Sequence, residues 1–167
     1  DYEGDPEADR VIVMMGSGAG AAGEAVARLN AAGEKVGLLT IRLFRPFPTM
    51  DFLAALPASV RSIVVLDRTK EPGSVGEPLL QDVVLTLADA GRGAVRAIGG
   101  RYGLGSKEFT PAMAKAALDE LVAPAPKKRF TVGIVDDVTH LSLSVDETFV
   151  IPTANHSAVF YALGSDG

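Results

Sequence analysis

Residues 11–15 read VIVMM, five apolar side chains with no polar one between them. A strand with one face in water alternates apolar and polar residues, so an uninterrupted run marks a strand buried on both faces. Residues 36–41 (VGLLTI), 62–66 (SIVVL) and 95–98 (VRAI) are three further strand-like runs. Segments with helical spacing separate them. Ala25, Val26 and Leu29 share one face of an alanine-rich stretch at 21–32, and Gly33 stands where a C-terminal cap belongs. Residues 51–56 read as a short helix. Leu79, Leu80, Val83, Val84 and Leu87 form an apolar stripe behind Pro78. Thr110 and Pro111 supply an N-cap and a first helical position, with Met113, Ala114, Ala117, Leu118 and Leu121 on the inward face beyond them. Strands that alternate with helices lie parallel, because each helix carries the chain back across the sheet. The expected fold is an α/β three-layer domain around a parallel sheet, spanning residues 1–121.

The pattern breaks at 122–129 (VAPAPKKR), where prolines precede the consecutive cations Lys127, Lys128 and Arg129. This composition predicts a linker. Residues 130–134, 148–151 and 157–163 are β-like but have no helices between them. They read as the incomplete, β-rich start of a further domain at 130–167, and the sequence as a piece of a longer chain.

The composition excludes several classes. The chain has no cysteine, so it supplies no disulfide, no thiolate zinc site and no ligand to an iron–sulfur cluster. Its net charge of −5, with acids and bases interspersed, argues against general nucleic-acid binding. No apolar run approaches the roughly 20 residues that span a bilayer. The acidic start, DYEGDPEADR, is unlike a secretory signal. A soluble, cytoplasmic chain is expected.

Ligands of parallel α/β sheets bind beyond the carboxyl ends of the strands. Four loops are expected there, at 16–20, 42–48, 67–76 and 99–107. The last is rich in glycine, carries Arg101 and Lys107, and runs into the helix start at Thr110. Glycines admit a ligand close to the backbone and the two cations supply charge, so a phosphate or carboxylate receptor is expected. The first loop opens a formal GxGxxG at 18–23. A dinucleotide site also needs an acid after the second strand, and Thr40, Ile41 and Arg42 stand there instead. NAD is disfavoured, and an NADP phosphate would have only Arg42. Arg42 and Arg45 read better as ion-pair or interface residues than as ligand contacts. The run Asp67-Arg68-Thr69-Lys70-Glu71 follows a buried strand and suggests contact with a substrate or a neighbouring domain. His140 and His156 have no partner at a recognisable spacing and read as structural. Ser17 and Ser106 lack the nucleophile-elbow context.

Five segments carry a resemblance: VIVMMGSG at 11–18, LNAAGEKVGLLTIRLFRPFP at 29–48, VVLDRTKEPGSVGEPLLQDV at 64–83, GGRYGLGSKEFTPAM at 99–113 and FTVGIVDDVTHLSL at 130–143. The chain resembles the pyruvate:ferredoxin (flavodoxin) oxidoreductase family over nearly its whole length. It departs at residues 19–22, where the family tends to be more polar.

The resemblance implies a large, multidomain, typically homodimeric enzyme. Such an enzyme decarboxylates pyruvate oxidatively with thiamine diphosphate and magnesium. It passes electrons through iron–sulfur (4Fe-4S) clusters to ferredoxin or flavodoxin, and it forms acetyl-CoA. Residues 11–121 resemble its second domain, which is like the transketolase C-terminal domain. The terminal GSDG resembles the opening of the next domain's glycine-rich loop. The thiamine-binding pattern and the cluster cysteines are absent from this stretch, so the piece is expected to be inactive alone. The family's coenzyme A site lies near the junction of its second and third domains. Arg101, Lys107, Lys127 and Lys128 are the cations best placed for its phosphates. Two other readings stay open: a domain that only docks its neighbours, and an independent NADP-binding domain.

Overall fold

The computed structural model describes residues 1–135, 138–152, 159, 161 and 164. The chain runs β1 (Tyr2–Gly4), β2 (Arg10–Met14), α1 (Gly18–Ala31), β3 (Val36–Thr40), α2 (Thr49–Ala55), β4 (Ser62–Asp67), α3 (Pro78–Asp89), β5 (Arg96–Arg101), a short 3-10 turn (Leu104–Ser106), α4 (Pro111–Glu120) and β6 (Arg129–Thr131). Six strands form one sheet in the order β1-β3-β2-β4-β5-β6. All neighbours pair parallel except β1, which runs antiparallel to β3.

The period of two along each strand divides the core. Ile12 and Met14 of β2, with Val64 and Leu66 of β4, pack under α1 and α4. Val11 and Val13, with Ile63 and Val65, pack under α2 and α3. Both faces are covered, and this explains why residues 11–15 and 63–66 carry no polar residue. Among the described residues no helix is long and apolar enough to cross a membrane.

Several local expectations hold in detail. Thr110 Oγ1 accepts the Met113 N–H at 3.4 Å, and Pro111 is the first helical residue. Gly33, with φ +92°, ends α1: its N–H donates to Asn30 O, and Glu34 N–H donates to Leu29 O. That is a Schellman cap. The Asn30 amide then bonds both backbone groups of Val36, which ties the end of α1 to the start of β3.

Other elements differ from the expectation. The acidic start forms an edge strand, β1, because Tyr2 lays its ring over Gly37 of β3. Residues 18–20, read as a turn, are the first turn of α1; the reversal is made by Gly16 alone, at φ +83°. β5 extends through Gly99, Gly100 and Arg101, three residues assigned to a ligand loop. The physical reason is packing. A Cβ at Gly99 would strike Leu80, and one at Gly100 would strike the Phe130 ring. Residues 122–128 fold back, with Lys127 N–H donating to Glu120 Oε1, and deliver β6 to the edge of β5. Phe130 and Val132 are buried in the same core as α1 and α4. Residues 148–151 form a turn and extended chain instead of a strand, because Asp146 Oδ1 accepts both the N–H and O–H of Thr148. Of the third β-like run, 157–163, only residues 159 and 161 are described.

Candidate functional site

β2 leads through α1 to one side of the sheet, and β4 leads through α3 to the other. The loops after these two adjacent strands therefore diverge, and a parallel sheet leaves a crevice where they do. A cavity of about 470 Å³ occupies that place. Met15, Gly16 and Ser17 wall it on the β2 side, and Leu66, Asp67, Arg68 and Thr69 on the β4 side. Phe44, Pro78 and Tyr102 complete it.

Asp67 is the last residue of β4 and is buried. Its two carboxylate oxygens accept the N–H groups of Leu79, at 3.1 Å, and Leu80, at 3.3 Å. These are orphan donors of the first turn of α3, whose N-cap residue Glu77 makes no side-chain cap bond. Asp67 thus caps α3 from the end of β4. Burial pushes its pKa up to about 6, against the two amides, which favour the charged form; Glu77 and Asp82 push it further up.

Tyr102 joins the loops. Its N–H donates to Asp67 O at 3.2 Å, its hydroxyl donates to Met15 O at 3.1 Å, and its ring packs on Phe109 with centroids 4.6 Å apart. Burial raises its pKa, and Arg68 opposes the rise. Arg68 is exposed, and its Nε donates to Gly103 O at 3.1 Å. The cavity therefore has a buried acid at its inner end, an exposed cation at its mouth and apolar walls between. This is a binding geometry. Among the described residues, no three His, Cys, Asp or Glu side chains are placed to hold a metal.

The four cations singled out from the sequence are not brought together. Arg101 ends β5 and stands 3.8 Å from Glu77. It lines a separate cavity of about 230 Å³ with Lys70, Glu71 and Arg129. Lys107 is exposed just after the 3-10 turn. Lys127 lies on another cavity with Lys115 and Asp119, where its ammonium donates to the carbonyls of His140 and Ser142. Lys128 is exposed, and its carbonyl accepts the Gly99 N–H.

Arg129 is the companion of Arg101 that the sequence reading missed. Its guanidinium donates to Val75 O and Lys128 O, and its Nε is buried without a hydrogen-bond partner. Only the pairing of Arg129 with Gly99 brings the two arginines to one cavity, and the charge run 127–129 did not reveal that register.

The remaining candidates are used structurally. Arg42 pairs with the Asp1 carboxylate. Arg45 pairs with Asp82 at 2.6 Å and lies 3.9 Å from the Phe44 ring centroid. The glycines at 18–23 lie within α1. His140 adopts φ +54°, and its carbonyl serves Lys127. His156 and its neighbour Asn155 lie outside the described residues, as do Asp136, Asp137 and the terminal Ser165-Asp166-Gly167.

Residues 8–113 match the family described as pyruvate:ferredoxin oxidoreductase core domain II. The chain belongs to that family. Over its full length it is 58% identical to a pyruvate-flavodoxin oxidoreductase of Rhodospirillum rubrum, of which it covers 15%. It is 56% identical, again over its full length, to a pyruvate:ferredoxin oxidoreductase of Moorella thermoacetica, of which it covers 14%. The chain thus spans about one seventh of the length of these relatives and corresponds to a domain of a larger enzyme. Among solved structures, a 2-oxoglutarate:ferredoxin oxidoreductase from Magnetococcus marinus, with 2-oxoglutarate, coenzyme A and succinyl-CoA bound, shares the fold. The TM-score is 0.52 at 24% identity, covering 74% of this chain and 19% of that one. The α/β fold class and the family expected from the sequence both stand.

Proposed function

We propose that this chain is the second core domain of an enzyme that oxidatively decarboxylates pyruvate, forms acetyl-CoA and passes electrons to ferredoxin or flavodoxin. The observation that carries the reading is the 58% identity over the whole chain to a protein bearing that name. Residues 1–121 form the domain body, residues 122–129 are the linker, and residues 130–167 open the next domain, lending β6 to this sheet. The full enzyme is a cytoplasmic homodimer. Thiamine diphosphate, magnesium and the iron–sulfur clusters belong to its other domains. Having no cysteine, this chain supplies no thiolate to those clusters, and its described residues offer no group of three metal-binding side chains. Its own contribution is interface and coenzyme A contact. Arg101, flanked by Lys70 and Arg129, and the exposed Lys107 and Lys128 are the phosphate contacts; Lys127, tied to two carbonyls, orients the linker beside them.

The test uses the full-length enzyme. Arg101→Ala and Lys107→Ala are expected to raise KM for coenzyme A about tenfold, the scale of one lost charge-assisted contact. KM for pyruvate should not move. If KM for coenzyme A is unchanged in both variants, the domain only docks its neighbours, a reading that the existing Arg101–Glu77 contact favours. An NADP site is not supported, because Arg42 is already paired.

A further inference from the structure

The cavity between the ends of β2 and β4 has no role in the proposed function, and its chemistry is graded from inside to outside. Asp67 is 7% exposed and presents a carboxylate whose helix bonds leave acceptor capacity on both oxygens. The walls formed by Phe44, Leu66 and Pro78 are apolar. Arg68 stands exposed at the mouth, and among the described residues its Nε donates to Gly103 O while its two terminal nitrogens have no acceptor. Ser17, which lines the same cavity, makes no side-chain cap bond to α1.

A free carboxylic acid with no donor group does not suit this order, because it would leave Asp67 unanswered. An aliphatic amine does not suit it either, because it would leave Arg68 unanswered. The fitting molecule has a flat body, hydrogen-bond donors at one end and an anion at the other. A volume of about 470 Å³ is within the range of small-molecule sites.

We propose that this cavity binds a purine nucleotide, its base between Phe44 and Pro78 with the amino edge toward Asp67, and its phosphate at the mouth beside Arg68 and Ser17. The base enters edge first, since the inner end holds Asp67, a buried carboxylate that lines the cavity. Tyr102 fixes the width of the slot by bonding both sides, Met15 O and Asp67 O.

The experiment measures ADP binding to the full-length enzyme with coenzyme A at saturation, so that the coenzyme's own nucleotide site is filled. Binding should persist, and 8-azido-ADP should label peptides from residues 15–17, 44 or 66–69. Arg68→Glu should weaken ADP at least about tenfold. Ser17→Trp, which fills the mouth, should do the same. Lys107→Ala should leave ADP binding unchanged while it alters coenzyme A, so a failure here is separable from a failure of the proposed function. The proposal is overturned if ADP fails to bind at millimolar concentration or is displaced by coenzyme A. It is also overturned if inorganic phosphate binds equally well, or if both variants bind ADP normally.

Discussion

Gly100 lies in β5 with the Phe130 ring against it and Leu66 Cδ2 2.8 Å from where a Cβ would stand, whereas Gly20, in α1, has nothing within 4 Å of that point. The two glycines belong to stretches that look alike on paper, residues 16–23 and 99–105. Their physical demands are opposite. In the second stretch the absent side chain lets α3 and β6 close onto the sheet. In the first, Gly16 makes the turn, Gly18 lies against Met14 and Tyr102, and Gly20 only lowers the helical preference of α1. A glycine-rich segment is therefore not a ligand loop until each glycine has been assigned a neighbour.

Substitutions test this contrast. Gly100→Ala should be the most damaging, because a ring and a leucine in a packed core must both yield. We expect a loss of about 2–3 kcal/mol, the upper part of the overpacking range, read by urea denaturation. A loss under about 0.5 kcal/mol would place Gly100 in the same class as Gly20.

Asp67 stands between the two stretches, and its titration gives the next effect. Its folded pKa is raised from 3.8 to about 6, so the folded protein holds a proton that the unfolded chain releases. The contribution is fully present below about pH 4 and is lost as pH rises through about 6. Stability should fall by about 1–2 kcal/mol between pH 4 and 7, after screening by solvent at the cavity mouth. In Asp67→Asn that part of the slope should vanish; an unchanged slope would assign it to other carboxylates.

Tyr102→Phe removes the hydroxyl bond to Met15 O that ties the second stretch to the first. A loss of about 1 kcal/mol is expected, with the fold intact by circular dichroism. Smallest is Gly20→Ala, which should gain about 0.5–1 kcal/mol through helix propensity. A loss there would mean that α1 has a close neighbour at Gly20.

The sequence made the sheet legible because burial on both faces leaves an unmistakable mark, as in residues 11–15, and because Thr110-Pro111 and Gly33 carry their own stop and start chemistry. It did not reveal β1, whose three residues are polar or small and gain their place from Tyr2 packing on Gly37. It misplaced the end of β5 because glycine at 99–100 is read as flexible when its neighbours are unknown. At the site, Asp67 and Arg68 were visible as a charged run, but not the helix that Asp67 caps. Arg101 and Lys127 were both visible as cations near the expected domain junction, but not that they line different cavities, nor that β6 sets Arg129 beside Arg101.

The strand order has a metric consequence. β1 lies at one margin of the sheet and β6 at the other, with five inter-strand gaps between them. At about 4.8 Å per gap, that is roughly 24 Å across. In a polypeptide of the relatives' length, this domain would serve as a rigid gauge. It would hold Tyr2 and Thr131 that far apart, on opposite margins, a spacing that cannot change without unpairing a strand.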